Sequence, residues 1–358
     1  MTMEQTLTHG GDWAGYEAQY GTAPLDFSAN ISPLGLPPAV REAAVRSLDQ
    51  AASYPDPLCR ALSGALAQAE GVDPDWCLCG NGAAALIYRA ALARRPARAL
   101  VTAPAFSEYE AALELVQCRT DRFVLREEDD FGLDQGFVEA VGPETDMVFL
   151  CQPNNPTGRA VPRPLLERVL ERCRAVGALL VVDECFCDFL DDPGGFTMTG
   201  LLGEYGNLLV LKAFTKLYAM AGLRLGYCLC SDRALLDAMR GAGQPWAVSG
   251  PAQAAGAAAL GETEYVRDLR ALIGRERPRL AAELSRLGFR VIPGEANYLL
   301  FRSHTPLIQP LRERGILLRD CGNYHGLEAG WYRAAVRTAE ENDRLTAALE
   351  EILKEGAP

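Results

Sequence analysis

The chain is sparing with lysine: of its 35 basic residues only Lys212, Lys216 and Lys354 are lysines. Lys354 lies in a polar carboxyl-terminal tail. Lys212 falls at the end of an apolar run, and Lys216 lies in the loop beyond it, ahead of Gly222-Leu223-Arg224-Leu225-Gly226-Tyr227. A lysine that condenses with a carbonyl must sit near a strand's end and still reach its partner, which favours Lys216. Upstream, Val181-Val182-Asp183-Glu184 ends another apolar run in two carboxylates. Burial there would neutralise an unpaired Asp, so a cationic partner is needed. A protonated pyridine nitrogen is one such partner, and an Asp facing it keeps the ring an electron sink. A plain strand-end acid, or a metal ligand without companions, are the other readings.

Three more segments have chemistry to offer. In Gln152-Pro153-Asn154-Asn155-Pro156-Thr157-Gly158 two asparagines are held by flanking prolines, which suits either a simple turn or a donor aimed at a fixed ligand oxygen. Gly80-Asn81-Gly82-Ala83-Ala84 precedes a helical pattern at Ala85–Arg94, so its amides could cradle a phosphate, or merely turn the chain. Arg319 lies beyond one strand-like run, and Arg333 and Arg337 are four residues apart on another, hence on one face of it. Guanidinium forks suit phosphate and carboxylate, so the cluster reads as a site for a dianionic substrate group, helped by His9. Salt bridges to the nearby Glu340 and Glu341 are the alternative.

The elements that must position these groups alternate. Strand-like runs at Ala99–Thr102, Asp146–Cys151, Ala178–Val182, Leu208–Leu211 and Leu225–Cys230 are separated by amphipathic stretches. In Pro164–Val176, for example, Leu165, Leu166, Val169, Leu170 and Cys173 recur at helical spacing. That is the pattern of an α/β domain with a large, mostly parallel sheet over residues 39–243, in which ligands bind beyond the carboxyl ends of the strands. Residues 244–358 read as a smaller α+β domain. A long helical stretch leads to Gly288, followed by short strands at Arg290–Ile292, Tyr298–Arg302, Ile316–Arg319 and Tyr332–Val336. A final helix opens with Thr338 and Glu341 in capping-box spacing. Residues 1–38, rich in Gly and Pro, read as an extended arm outside the core.

At 358 residues the chain exceeds one ordinary core, in line with two domains. Its net charge of −12 disfavours nucleic acid and anionic membranes as partners, and obliges any phosphate site to concentrate positive charge locally. No apolar run approaches a membrane span and the start lacks a basic-then-apolar pattern, so the expected location is the cytoplasm. The 11 cysteines include close pairs at Cys77/Cys79, Cys185/Cys187 and Cys228/Cys230, spaced too tightly for metal ligation and remote from the three histidines. They are expected to be buried thiols, with no metal.

Taken together, Asn154-Asn155-Pro156-Thr157-Gly158, Val182-Asp183-Glu184, and Thr215-Lys216 with Arg224 eight residues on resemble the fold-type I pyridoxal 5′-phosphate (PLP) aminotransferases in order and spacing, over nearly the whole chain. The resemblance implies PLP as cofactor, Lys216 as the lysine that carries it, Asp183 at the pyridine nitrogen and Asn155 at the phenolic oxygen. It further implies Phe106 stacked on the ring and Gly82, Ala83, Thr215 and Arg224 around the cofactor and its phosphate. Tyr54, in Ser53-Tyr54-Pro55-Asp56-Pro57, resembles the tyrosine that reaches the neighbouring subunit's phosphate, which implies a homodimer with shared sites. There are two departures from the aminotransferase pattern. Ala213 stands where Ser or Thr is usual, and Phe186 where Tyr is common.

Within the family, His9-Gly10-Gly11, Leu25-Asp26-Phe27-Ser28-Ala29-Asn30-Ile31-Ser32-Pro33-Leu34-Gly35 and Leu318-Arg319-Asp320-Cys321-Gly322-Asn323-Tyr324 are most similar to threonine-phosphate decarboxylases of cobalamin synthesis, as is Phe186. That resemblance implies a lyase acting on O-phospho-L-threonine, giving aminopropanol phosphate, or on O-phospho-L-serine, giving ethanolamine phosphate. His9, Arg319, Arg333 and Arg337 would be its substrate-binding side chains. An aminotransferase of the histidinol-phosphate type is the alternative. A non-catalytic binding protein of this fold would be expected to have lost Lys216 or Asp183, and both are present.

Overall fold

The computed structural model describes residues 9–355. Its centre is a seven-stranded sheet in the order Cys77–Gly80, Gly226–Leu229, Leu208–Ala213, Leu179–Asp183, Met147–Cys151, Arg98–Ala103, Arg119–Val124. Gly226–Leu229 alone runs against the rest. The five expected strands are all present, with ends displaced by one or two residues.

The inner strands of the sheet are covered on both faces, which is why Met147–Cys151 and Leu179–Asp183 are almost wholly apolar, whereas the edge strand Arg119–Val124 is mostly polar and not buried. Strand parity assigns each residue a face. Leu180, Val182, Val148, Leu150, Leu208 and Val210 pack in one core with the helix Arg163–Val176. Leu179, Val181, Met147, Phe149, Leu209 and Leu211 pack in the other with the helix Gly82–Arg94. The first core also takes in Ala252, Ala255 and Ala259 of the helix Gly250–Ala259, so the contacts of the large sheet reach past Gly243.

A separate four-stranded antiparallel sheet, ordered Arg319–Asp320, Trp331–Ala335, Tyr298–Arg302, Arg290–Val291, packs against the helices Thr263–Arg286 and Ala339–Glu355. The last helix is capped as expected: Thr338 N–H donates to Glu341 Oε2 at 3.2 Å and Glu341 N–H to Thr338 Oγ1 at 3.4 Å. The run expected as one strand over Ile316–Arg319 is divided. Ile316–Leu317 pairs in parallel with Leu25–Asp26, whereas Arg319–Asp320 joins the four-stranded sheet.

The amino-terminal arm is more structured than its composition suggests. Its first eight residues lie outside the described part, but Trp13–Tyr20 is helical and Leu25–Asp26 is a strand. Phe27 is fully buried in the core of the small sheet. A two-residue strand between Gly- and Pro-rich segments is too short for periodicity to reveal. Among the described residues no helix is long and apolar enough to cross a membrane, and no group of three or more His, Cys, Asp or Glu could hold a metal ion.

Candidate active site

A cavity of about 380 Å³ opens at the carboxyl ends of the parallel strands, between the two sheets and under the arm. Its size is that of a small-ligand site. Lys216, Asp183, Asn155, Phe106, Ala83, Thr215 and Arg224 all line it, joined by Arg319, Arg333 and His9.

Parity explains which lysine and which acid arrive there. Asp183 continues the face of Leu179 and Val181, Glu184 the opposite one. Glu184 is buried away from the cavity, accepts from the Thr197 hydroxyl and Met198 N–H at 2.6 Å each, and is pushed up to about 7 by burial. Lys212 shares that far side. It is buried, paired with Glu70 at 3.2 Å and Asp188 at 3.7 Å, and their charges raise its pKa. Lys216, in the short helix Phe214–Leu217, reaches the cavity, where burial and then the Arg333 and Arg224 charges push it down to about 8. An amine so placed has a usable neutral, nucleophilic fraction at ordinary pH.

Asp183 is 4% exposed, and its oxygens accept from the Tyr109 hydroxyl at 2.7 Å and Cys185 N–H at 3.0 Å. Both donors are neutral, so the buried carboxylate still lacks a counter-charge, which a protonated ring nitrogen in the cavity would provide. Arg333 donates to Asn155 Oδ1, which fixes the amide's orientation and leaves its NH2 as the half that can donate to a ligand. Phe186 meets Tyr298 edge-on with ring centroids 5.0 Å apart, and the Tyr298 hydroxyl is committed to the carbonyl of Asn154 at 2.9 Å. Tyr298 therefore does not replace the hydroxyl absent at position 186.

The end of the cavity expected to hold the phosphate is a cradle of backbone. The helix Gly82–Arg94 opens at the cavity with no side-chain cap, so its first amides face inward. Gly82, at φ +75°, allows Arg224 to lie over it, since a Cβ there would stand 2.6 Å from Arg224 Nη2. A Cβ on Gly226 would stand 2.5 Å from the amide nitrogen of Ala83. Tyr54 is 79% exposed, stacked on Trp246 with centroids 4.4 Å apart, and lies outside this cavity.

On the opposite wall Arg319 and Arg333 are cross-strand partners in the small sheet. Arg319, 7% exposed, donates to Asn323 Oδ1 at 2.9 Å and lies over the Tyr324 ring; Arg333, 6% exposed, donates to the Ser28 carbonyl at 2.8 Å. Arg337 does not join them. The strand ends at Ala335, so the i, i+4 relation no longer sets its direction, and its guanidinium is held by Glu341 at 2.7 Å and the Asp26 carbonyl at 3.1 Å. The salt-bridged alternative holds for this arginine. The sequence reading also missed Tyr109, Glu108 and Tyr324. Tyr109 lies three residues after Phe106, in the first turn of the helix Glu108–Leu115 that follows the strand-end loop, and that nearness in sequence is the signal that could have found it.

The fold and cavity are those of an enzyme that holds a phosphorylated pyridine cofactor on a lysine. The chain belongs to the class I and II aminotransferase family, whose model matches residues 22–349, and whose members work with PLP. It is 40% identical over 357 residues to the threonine-phosphate decarboxylase of Salmonella typhimurium, covering 98% of each chain. Among solved structures it superposes on the histidinol-phosphate aminotransferase of Clostridium acetobutylicum with a TM-score of 0.86 at 26% identity, covering 92% of this chain and 99% of that one. The histidinol-phosphate aminotransferase of Sinorhizobium meliloti, solved with PLP, gives 0.85 at 25% identity over 99% and 97% of the two chains.

Proposed function

We propose that the protein is a PLP-dependent lyase that releases CO2 from O-phospho-L-threonine, and less efficiently from O-phospho-L-serine, as a step of cobalamin synthesis, working as a cytoplasmic homodimer. The observation that carries this reading is the pair Arg319 and Arg333, both buried and in cross-strand register on the wall facing Lys216. Two guanidinium groups suit a substrate with two anionic ends, and the decarboxylase relative spans the full chain.

PLP supplies the electron sink for the bond broken at the substrate's α-carbon. The chain's own residues do the rest. Lys216 carries the cofactor, Asp183 keeps the ring nitrogen protonated, and Asn155 donates to the phenolic oxygen. Phe106 covers the ring, and Gly82, Ala83, Thr215 and Arg224 hold the phosphate, with Tyr54 serving the partner subunit's site. The orientation in which these residues hold the substrate would select which bond at its α-carbon is broken. Arg319 and His9 take the substrate phosphate. Arg333, tied to Asn155, would hold the carboxylate that is released as CO2. Arg337 is left out, because Glu341 and the arm hold it. Incubation with each phospho-amino acid, assayed for CO2 and for oxoacid, tests the proposal: CO2 without oxoacid supports it.

A further inference from the structure

Among the described residues the cavity lining contains two carboxylates, Asp183 deep inside and Glu108 at the rim, and only the first has a task so far. A carboxylate beside a site for a phosphate dianion opposes binding unless it serves another group. Glu108 opens the helix Glu108–Leu115. It accepts two hydrogen bonds, from His9 Nε2 at 2.7 Å and from the Tyr88 hydroxyl at 2.8 Å. Tyr88 belongs to the helix that carries the phosphate cradle, and burial together with Glu108 pushes its hydroxyl up to about 12, so it remains a donor. The His9 ring in turn lies 5.7 Å from that of Phe106. Arm, cradle helix and ring-covering loop thus meet at one carboxylate.

We infer that Glu108, steadied by Tyr88, is a positioning residue for substrate specificity: it fixes the His9 ring across the cavity rim and so presents Nδ1 to a phosphorylated substrate. The inference rests on the proposed function, since it assigns the group that holds His9 in place for the phosphate. With Nε2 committed to the carboxylate, Nδ1 is the ring atom left to meet the phosphate, to which it donates in the doubly protonated ring. His9 itself is 46% exposed at its side chain and sits on an arm, where an unheld ring would sample many rotamers.

The test is a double-mutant cycle on the holoenzyme with Glu108→Ala, His9→Ala and both together, read as KM and kcat for O-phospho-L-threonine and for threonine. Glu108→Ala should raise KM for O-phospho-L-threonine by about tenfold with a much smaller change in kcat, leave threonine little affected, and add nothing in the His9→Ala background. Glu108→Gln, whose amide oxygen still accepts from Nε2–H, should retain most of the function. Equal losses for both substrates, or additive losses with His9→Ala, overturn the inference. A second readout is independent of turnover. The chain has three histidines, so the His9 resonances in labelled protein can be assigned with the His9→Ala variant. They should shift in Glu108→Ala and again when O-phospho-L-threonine is added to the wild type. Resonances unmoved by Glu108→Ala overturn the inference, whereas absence of CO2 with a responsive His9 overturns only the decarboxylase reading.

Discussion

The two sheets build their halves of the cavity by different means. The seven-stranded sheet presents Asp183, Asn155, Lys216 and the helix Gly82–Arg94 from strand ends whose flanking residues are buried on both faces, so each group is fixed by a long lever of packed backbone. The small sheet presents Arg319 from a strand of two residues and Arg333 from one of five, and relies on the arm's Ser28 carbonyl and on Asn323 to hold the guanidinium groups. The first half is rigid where the chemistry must be constant. The second depends on side-chain contacts that few substitutions would re-aim, which is where a family of shared cofactor can differ in substrate.

The sharpest break between the halves is at the lysines. Borohydride should fix the cofactor to a peptide containing Lys216, and Lys216→Ala should lower turnover by several orders of magnitude; label recovered on Lys212 would refute the assignment. Asp183→Asn should follow, leaving the fold and bound cofactor intact while cutting turnover by orders of magnitude, because the counter-charge of the ring nitrogen is lost. Near-normal turnover would mean that another group has that role. On the small sheet the effects are smaller and selective. Arg319→Ala should weaken O-phospho-L-threonine by about a hundredfold and free threonine far less, the size expected for a buried charge-assisted pair. Arg337→Ala should instead act on stability, read as a lowered midpoint of thermal unfolding, with KM little changed. Equal KM effects of the two variants would erase the distinction drawn between them.

The smallest effect concerns pH. Joining to the cofactor's aldehyde needs the neutral amine, and the Lys216 pKa is lowered to about 8. Cofactor uptake by cofactor-free protein should therefore accelerate about tenfold per pH unit below 8 and level off above it. Because the unfolded chain binds this proton up to its higher, ordinary lysine pKa, cofactor-free stability from this group should rise with pH between about 8 and that value. An uptake rate independent of pH from 6 to 9 would contradict the placement of Lys216.

The large sheet was legible because its strands are long enough for apolar runs to show, and because Lys216, Asp183 and Asn155 each follow one of them closely. What was hidden depends on pairing between distant segments. Glu108 and Tyr109 matter through His9 and Asp183, 99 and 74 residues away along the chain. Arg337 was grouped with Arg333 by extending strand parity past Ala335, where the backbone has already turned toward the cap of the last helix. The arm's strand at Leu25–Asp26 is defined by its partner Ile316–Leu317, and no local pattern announces it.

The most direct test of the account is a side-by-side assay of the purified, PLP-loaded protein with O-phospho-L-threonine alone and with histidinol phosphate plus 2-oxoglutarate. The decarboxylase reading predicts rapid CO2 release from the first and little glutamate from the second. Rapid glutamate formation, with no CO2 from O-phospho-L-threonine or O-phospho-L-serine, would contradict it and assign the protein to the histidinol-phosphate aminotransferases.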